Sequence, residues 1–342
     1  MKPQLFTKET ALNAFGDTRT LVLAAGFEER ILALPVRLLE AGLCFDRILV
    51  LDYPDKALNE PRRSRLLESL TPIGRVVEIV PLPEIGNSLA LKDLELRGPV
   101  AVDITGMDRI VAFGVLAFLT DESLPFSILY TEAENYYPLF PFYEKLISGN
   151  ASVDESFARY LSEERTAFAY SYDCEVVQPA CYSGDPEPGR PFLLVSFFPF
   201  KRSRLHLLLQ TLEVERKMFI LGEPVREDLK WRHAFMRIAN WDMIRRNKGS
   251  VVALPTLYPD QTRDFLESAI YVKGLHLNYN VVLAPLGSKM QTVGAFLFWR
   301  NHPEVTIVFT HPKRFFKEAY SDGYRETFVI PASDLCQSNP RR

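Results

Sequence analysis

Short apolar runs of five or six residues alternate along this chain with segments whose apolar residues recur at three- and four-residue spacing. That alternation predicts strands covered on both faces by helices. In the first half the strand-like runs are 20–25, 46–52, 75–80, 100–105 and 126–131, and the helical segments are 28–41, 61–70 and 106–119. Gly42 is placed to stop the first helix, and Pro35 predicts a kink in it or a start later than Glu28. The rhythm breaks after residue 150. Residues 166–177 read as an edge hairpin, and 183–191, dense in Pro and Gly, as a linker. Strands resume at 192–197, 218–221, 251–254, 281–284 and 305–310, with helices over 204–212, 227–246, 262–272 and 287–300.

The pattern predicts an α/β protein of two Rossmann-like halves with mostly parallel sheets. The expected division is a first domain over 1–150, the hairpin and linker over 151–190, a second domain over 191–330 and a tail over 331–342. The halves also read as an internal duplication. Residues 21–39, with Phe27-Glu28-Glu29-Arg30 after the strand, match 193–212, with Phe200-Lys201-Arg202-Ser203-Arg204 in the same place. Residues 100–106 match 281–287 in the same way. The competing reading is that any two α/β units share this order.

Composition narrows the class. At 342 residues, with 47% hydrophobic and 24% charged, the chain can fill two cores. A net charge of −3 gives no global basic field, so nucleic acid stays open only through a local patch. The longest apolar stretch, 110–119, is half of the roughly 20 residues a membrane span needs. No apolar secretory run follows Met1. The four cysteines, Cys44, Cys174, Cys181 and Cys336, form no CxxC pair, which predicts free thiols in a reducing cytoplasm and no metal site. Dinucleotide, Walker A, nucleophile-elbow and HExxH motifs are absent, and no cofactor is indicated. The segment 227–246, rich in Arg and aromatics, fits a packed helix with a basic outer face, or a surface for RNA or DNA.

Open parallel sheets bind ligands outside the carboxyl ends of their strands. In the first half those ends carry Glu28, Glu29, Arg30, Asp52, Tyr53, Asp55, Asp103, Thr105, Asp108, Arg109, Glu132 and Glu134, a mainly acidic set. Glu28, Glu29 or Asp103 would supply acid and base for hydrolysis of a nucleotide or N-glycoside. The same residues also suit helix caps and ion pairs, with Arg30 or Arg109 as partners for Asp103. In the second half the ends carry Lys201, Arg202, Arg204, Gly287, Ser288, Lys289, His311, Lys313 and Arg314, a basic set suited to phosphate or to a solvated surface.

The segment Val102-Asp103-Ile104-Thr105-Gly106-Met107-Asp108-Arg109 resembles the strand-to-helix motif of CRISPR-associated Rossmann-fold (CARF) domains, roughly Asp-x-Thr-Gly-Gly-Thr-Lys. It matches at Asp103, Thr105 and Gly106, and departs at Met107, Asp108 and Arg109. Fused pairs of such domains, as in SAVED sensors, are similar in plan to the two halves. The resemblance implies a cyclic oligonucleotide held by the loops after these strands, here Arg30, Thr105, Gly106 and Arg109, in prokaryotic antiviral defence. With no effector module in view, the output would come from an effector protein partner or from the same pocket. The combined expectation is a nucleotide-ligand sensor or regulatory subunit, with Lys201, Arg202, Arg204, Gly287, Ser288 and Lys289 holding phosphates, and one ligand shared if the halves face each other. A hydrolase using the acidic loops and a protein-docking scaffold are the alternatives.

Overall fold

The computed structural model describes residues 2–54, 56–82, 95–167, 174–313 and 320–335. Asp55, Arg314 and Cys336 lie outside the described residues, as do 168–173 of the expected hairpin. In chain order the first elements are β1 (Gln4–Leu5), α1 (Lys8–Phe15), β2 (Thr20–Ala24), α2 (Ala33–Ala41), β3 (Phe45–Asp52), α3 (Lys56–Leu70) and β4 (Gly74–Pro81). They are followed by β5 (Val100–Asp103), α4 (Arg109–Asp121), β6 (Phe126–Thr131) and β7 (Asn135–Tyr136). Next come α5 (Phe140–Ile147), α6 (Val153–Ala167), β8 (Cys174–Val177), β9 (Phe192–Phe197), α7 (Arg202–Thr211) and β10 (Arg216–Glu223). The chain continues through α8 (Trp231–Ala239), α9 (Trp241–Arg246), β11 (Val251–Pro255), α10 (Pro259–Leu266), β12 (Asn280–Ala284) and α11 (Lys289–Asn301). It closes with β13 (Thr306–Ile307), β14 (Phe309–Pro312), β15 (Ser321–Asp322), β16 (Thr327–Ile330) and α12 (Ala332–Leu335).

Two compact units result. One is Met1–Tyr137 with Tyr320–Arg342, and the other is Pro138–Ala319. In the first, the sheet order is β1-β16-β6-β5-β2-β3-β4, and the five strands from β6 to β4 are parallel. In the second, the order is β11-β10-β9-β12-β13, all parallel. Both follow the Rossmann strand order 3-2-1-4-5, which puts a switch point between β2 and β5 in one unit and between β9 and β12 in the other. Every residue of β2, β5, β6 and β12 is buried, as continuous apolar runs require.

The registers correspond as well. Thr20 pairs with Val100 as Leu193 pairs with Val281. Carried forward along each strand, that register matches Gly106 to Gly287 and Glu28 to Lys201.

Several boundaries differ from the sequence reading. The expected linker at 183–191 lies inside the second unit, and the units separate at Tyr137/Pro138 and Ala319/Tyr320. The cause is long-range pairing. β16 returns to lie antiparallel to β6, with Thr131 and Thr327 hydroxyls 2.7 Å apart, and β1 then pairs with β16. In the expected hairpin, Thr166 and Ala167 end α6, and β8 pairs instead with β14. The expected helix over 227–246 is broken at Asn240, whose side-chain amide donates to the carbonyls of Pro199 and Met236. After α10 the chain continues as a π-helical turn, Glu267–Val272. The first helix does start late, with a 3-10 turn over Glu29–Leu32 before α2, and Gly42 ends it in the left-handed conformation.

Candidate functional site

At the first unit's switch point the two loops meet backbone to backbone. A Cβ on Gly106 would lie 2.2 Å from the Ala24 carbonyl oxygen, and one on Gly26 would lie 2.7 Å from that of Gly106. The crevice where a Rossmann ligand sits is closed at its base by this contact.

The acidic side chains around it are held within the fold. Glu28 takes two hydrogen bonds from Arg30, at 2.8 Å and 3.1 Å, and another from the Ser321 hydroxyl. Arg30 is buried and also donates to the Tyr130 hydroxyl at 3.2 Å and the Thr131 carbonyl at 3.0 Å. Burial disfavours its charge, but the Glu28 carboxylate with Tyr130 and Tyr136 together outweigh that and hold the guanidinium well above its ordinary pKa. Glu29 accepts from the Gly323 backbone at 3.3 Å. Asp103, also buried, accepts from the Thr105 backbone at 2.9 Å and from its hydroxyl, which in turn accepts from the Thr131 backbone at 2.9 Å. This is a local turn that ties β5 to β6.

Asp108 caps α4 by accepting from the Val111 backbone at 2.8 Å, and its own N–H donates to Tyr53 at 2.7 Å. A carboxylate therefore stands at the helix N-terminus, where an anionic ligand would have to sit. Burial, then the Asp108 charge, push the Tyr53 phenol well above its usual pKa. Arg109, half-buried, is the first residue of α4.

The second unit's switch point differs in charge. Ser288 caps α11: its hydroxyl accepts from the Gln291 backbone at 3.0 Å and donates to the Thr256 carbonyl at 2.5 Å. Its own N–H donates to the Gln291 side chain at 3.0 Å, so Ser288 is spent on the helix start. Gly287 lies so close to Gln291 that a Cβ there would meet Oε1 at 2.3 Å. Arg202 donates to Asp242 at 2.6 Å, lies 2.8 Å from His206 and sits over the Phe157 ring, which makes it a tie between α7 and α9.

Lys201 remains at the end of β9. It is the N-terminal cap residue of α7, where no side chain caps the helix and no acidic residue lies in the first turn. Burial, reinforced by the Arg204 guanidinium, lowers its pKa to about 8, with Cys174 opposing. Arg204 is buried one turn into α7, and Lys289 is half-buried after the adjacent β12. His311 is buried and Lys313 exposed on and after β14.

Among the described residues, no group of three or more His, Cys, Asp or Glu could hold a metal ion, and no helix is long and apolar enough to cross a membrane. The α8 part of the expected basic helix turns Arg232 inward, where it donates to the Pro138 carbonyl at 3.0 Å and lies 4.1 Å from the centre of the Phe200 ring. Sequence reasoning missed the partners Tyr130, Ser321 and Asp242, because nothing local marks a contact made across tens to hundreds of residues; it also missed Gln291, although the Ser-x-x-Gln spacing from Ser288 is a local capping-box signal. No family model matches this chain, and no curated protein matches it.

Proposed function

We propose that the protein is a nucleotide-ligand-binding sensor or regulatory subunit whose phosphate site is the switch point of the second unit. One observation carries this reading. Lys201, backed by buried Arg204, stands half-buried at the side-chain-uncapped start of α7 with no acid in that turn. Three positive features converge there, the ammonium, the guanidinium and the helix N-terminus. Lys289, after the neighbouring strand, extends the same edge.

The CARF-like segment 102–109 supports a cyclic oligonucleotide as the ligand, and with it a cytoplasmic role in antiviral defence and an effector protein that reads the bound state. The hydrolytic alternative would use Glu28, Glu29 and Asp103, which also accept hydrogen bonds inside the fold, and full turnover retained by an Asp103→Asn variant would remove it.

The test is calorimetric titration with mononucleotides, dinucleotides and cyclic oligonucleotides, with products followed by chromatography. Lys201→Met is expected to weaken binding by about 2 kcal/mol, the value of a charge-assisted hydrogen bond, and Lys289→Ala to flatten its salt dependence. A ligand bound equally well by both variants, with the same salt slope, would overturn the assignment. Absence of binding by the whole panel would favour the scaffold reading.

A further inference from the structure

The opposite end of the second unit's sheet holds a cluster that the ligand reading does not use. α11 ends at His302, about 20 Å along the helix from Lys289. His302 Nε2 lies 2.7 Å from Glu267, on the π-helical turn, and Nδ1 lies 3.5 Å from Glu304, just before β13. Tyr271, from the same turn, stacks on the His302 ring with centroids 3.6 Å apart and donates its hydroxyl to Glu304. Its ring also stacks with His276, at 4.2 Å.

A neutral imidazole has one N–H and one lone pair, so it can donate to only one of the two carboxylates and turns a lone pair toward the other. The imidazolium carries an N–H toward each, bonding Glu267 at 2.7 Å and pairing with Glu304 at 3.5 Å. It also sits at a helix C-terminus, where the backbone dipole favours positive charge. The other charged groups on the packed elements are accounted for: Arg263 pairs with Asp264, Arg190 reaches the His276 carbonyl, and Lys273 is exposed. Arg300, on α11 itself, is buried.

We infer that His302 is a proton-operated latch, whose imidazolium clamps Glu267 and Glu304 and so fixes the π-helical turn against the end of α11. Burial works against the charge, yet the bonds to Glu304 and Glu267 raise the His302 pKa. Burial likewise opposes the Glu304 charge, but His302 and Tyr271 hold that carboxyl down at about 2. Deprotonation leaves two carboxylates facing one imidazole with a single donor, and the turn loosens.

The sign follows from linkage. A raised histidine pKa contributes stability that is complete below the ordinary value of 6.5 and is lost as pH rises through the folded value. Thermal denaturation of the full chain and of His302→Gln from about pH 5.5 to about pH 9 tests it. The wild type is expected to lose about 3 °C more than the variant across that range, and backbone exchange over 267–277, corrected for intrinsic rate, to quicken about tenfold. Superimposable profiles for the two proteins would overturn the latch. Should His302→Gln fail to fold, NMR titration of the wild-type imidazole decides: a midpoint above 6.5 supports the latch and one at or below it refutes it.

Discussion

The two switch points share a strand order and a register but differ in what the loops do. In the first unit, Glu28 follows β2 and is locked to buried Arg30 and to Ser321. In the second, the matching position is Lys201, with a second cation beside it and a lowered pKa. The first unit caps α4 with a carboxylate, Asp108, and the second caps α11 with a neutral hydroxyl, Ser288. One edge carries carboxylates bonded within the fold, and the other gathers the cations Lys201, Arg204 and Lys289. The comparison teaches that a shared scaffold does not imply a shared site, because the charge balance of a few loop residues sets which edge can attract an anion.

Three perturbations sharpen or break this contrast. The largest effect is expected from Arg30→Ala, which leaves Glu28 with its charge partner gone and should cost about 3–5 kcal/mol in chemical denaturation. A loss below about 1 kcal/mol would mean that Glu28 is solvated and available, which removes the contrast.

Next is the glycine pair. Gly106→Ala drives a Cβ into the Ala24 carbonyl, which is backbone, and should cost about 3 kcal/mol. Gly287→Ala meets side chains rather than backbone, the buried and hydrogen-bonded Gln291 amide and, at 2.9 Å, the Phe197 ring, and should cost less, about 2 kcal/mol. Equal losses would show that both crevices are closed alike.

The smallest effect belongs to Lys201→Met. With its folded pKa near 8 against an ordinary 10.5, Lys201 binds its proton less readily in the folded state. Stability of the wild type should therefore rise as pH climbs from about 8 toward 10.5, and the variant should be flat there and slightly more stable at pH 7. Screening of this half-buried group keeps the gain to about 1 kcal/mol or less. A variant that is less stable than wild type at neutral pH would show that Lys201 is a structural tie like Arg202.

Much of this was legible in the chain. The all-buried runs of β2, β5, β6 and β12 betray parallel strands because both faces must be apolar, a local signal. The acidic and basic character of the two edges was likewise readable, since strand ends follow directly from strand positions. Which of those residues are spent was readable only in part. Ser288 in a Gly-Ser-Lys sequence looks like part of an anion cradle; its capping box with Gln291 is a local signal that was passed over, and only its bond to Thr256 needed the tertiary structure. That Asp103, inside an apolar strand, accepts from both the backbone and the hydroxyl of Thr105 was likewise not read from the chain.

What the amino-acid order determined by itself is the succession of strands and helices, the repeated order of the halves and the sign of charge at each edge. Each of these depends on residues a few positions apart, within reach of periodicity and capping. The tertiary structure alone decided the unit boundaries, through β16 pairing with β6 across some two hundred residues. It also decided the internal partners of Glu28 and Arg30, and the meeting of His302 with Glu267 and Tyr271. Those contacts join segments far apart in the chain, and their energies arise only when packing removes water from between them.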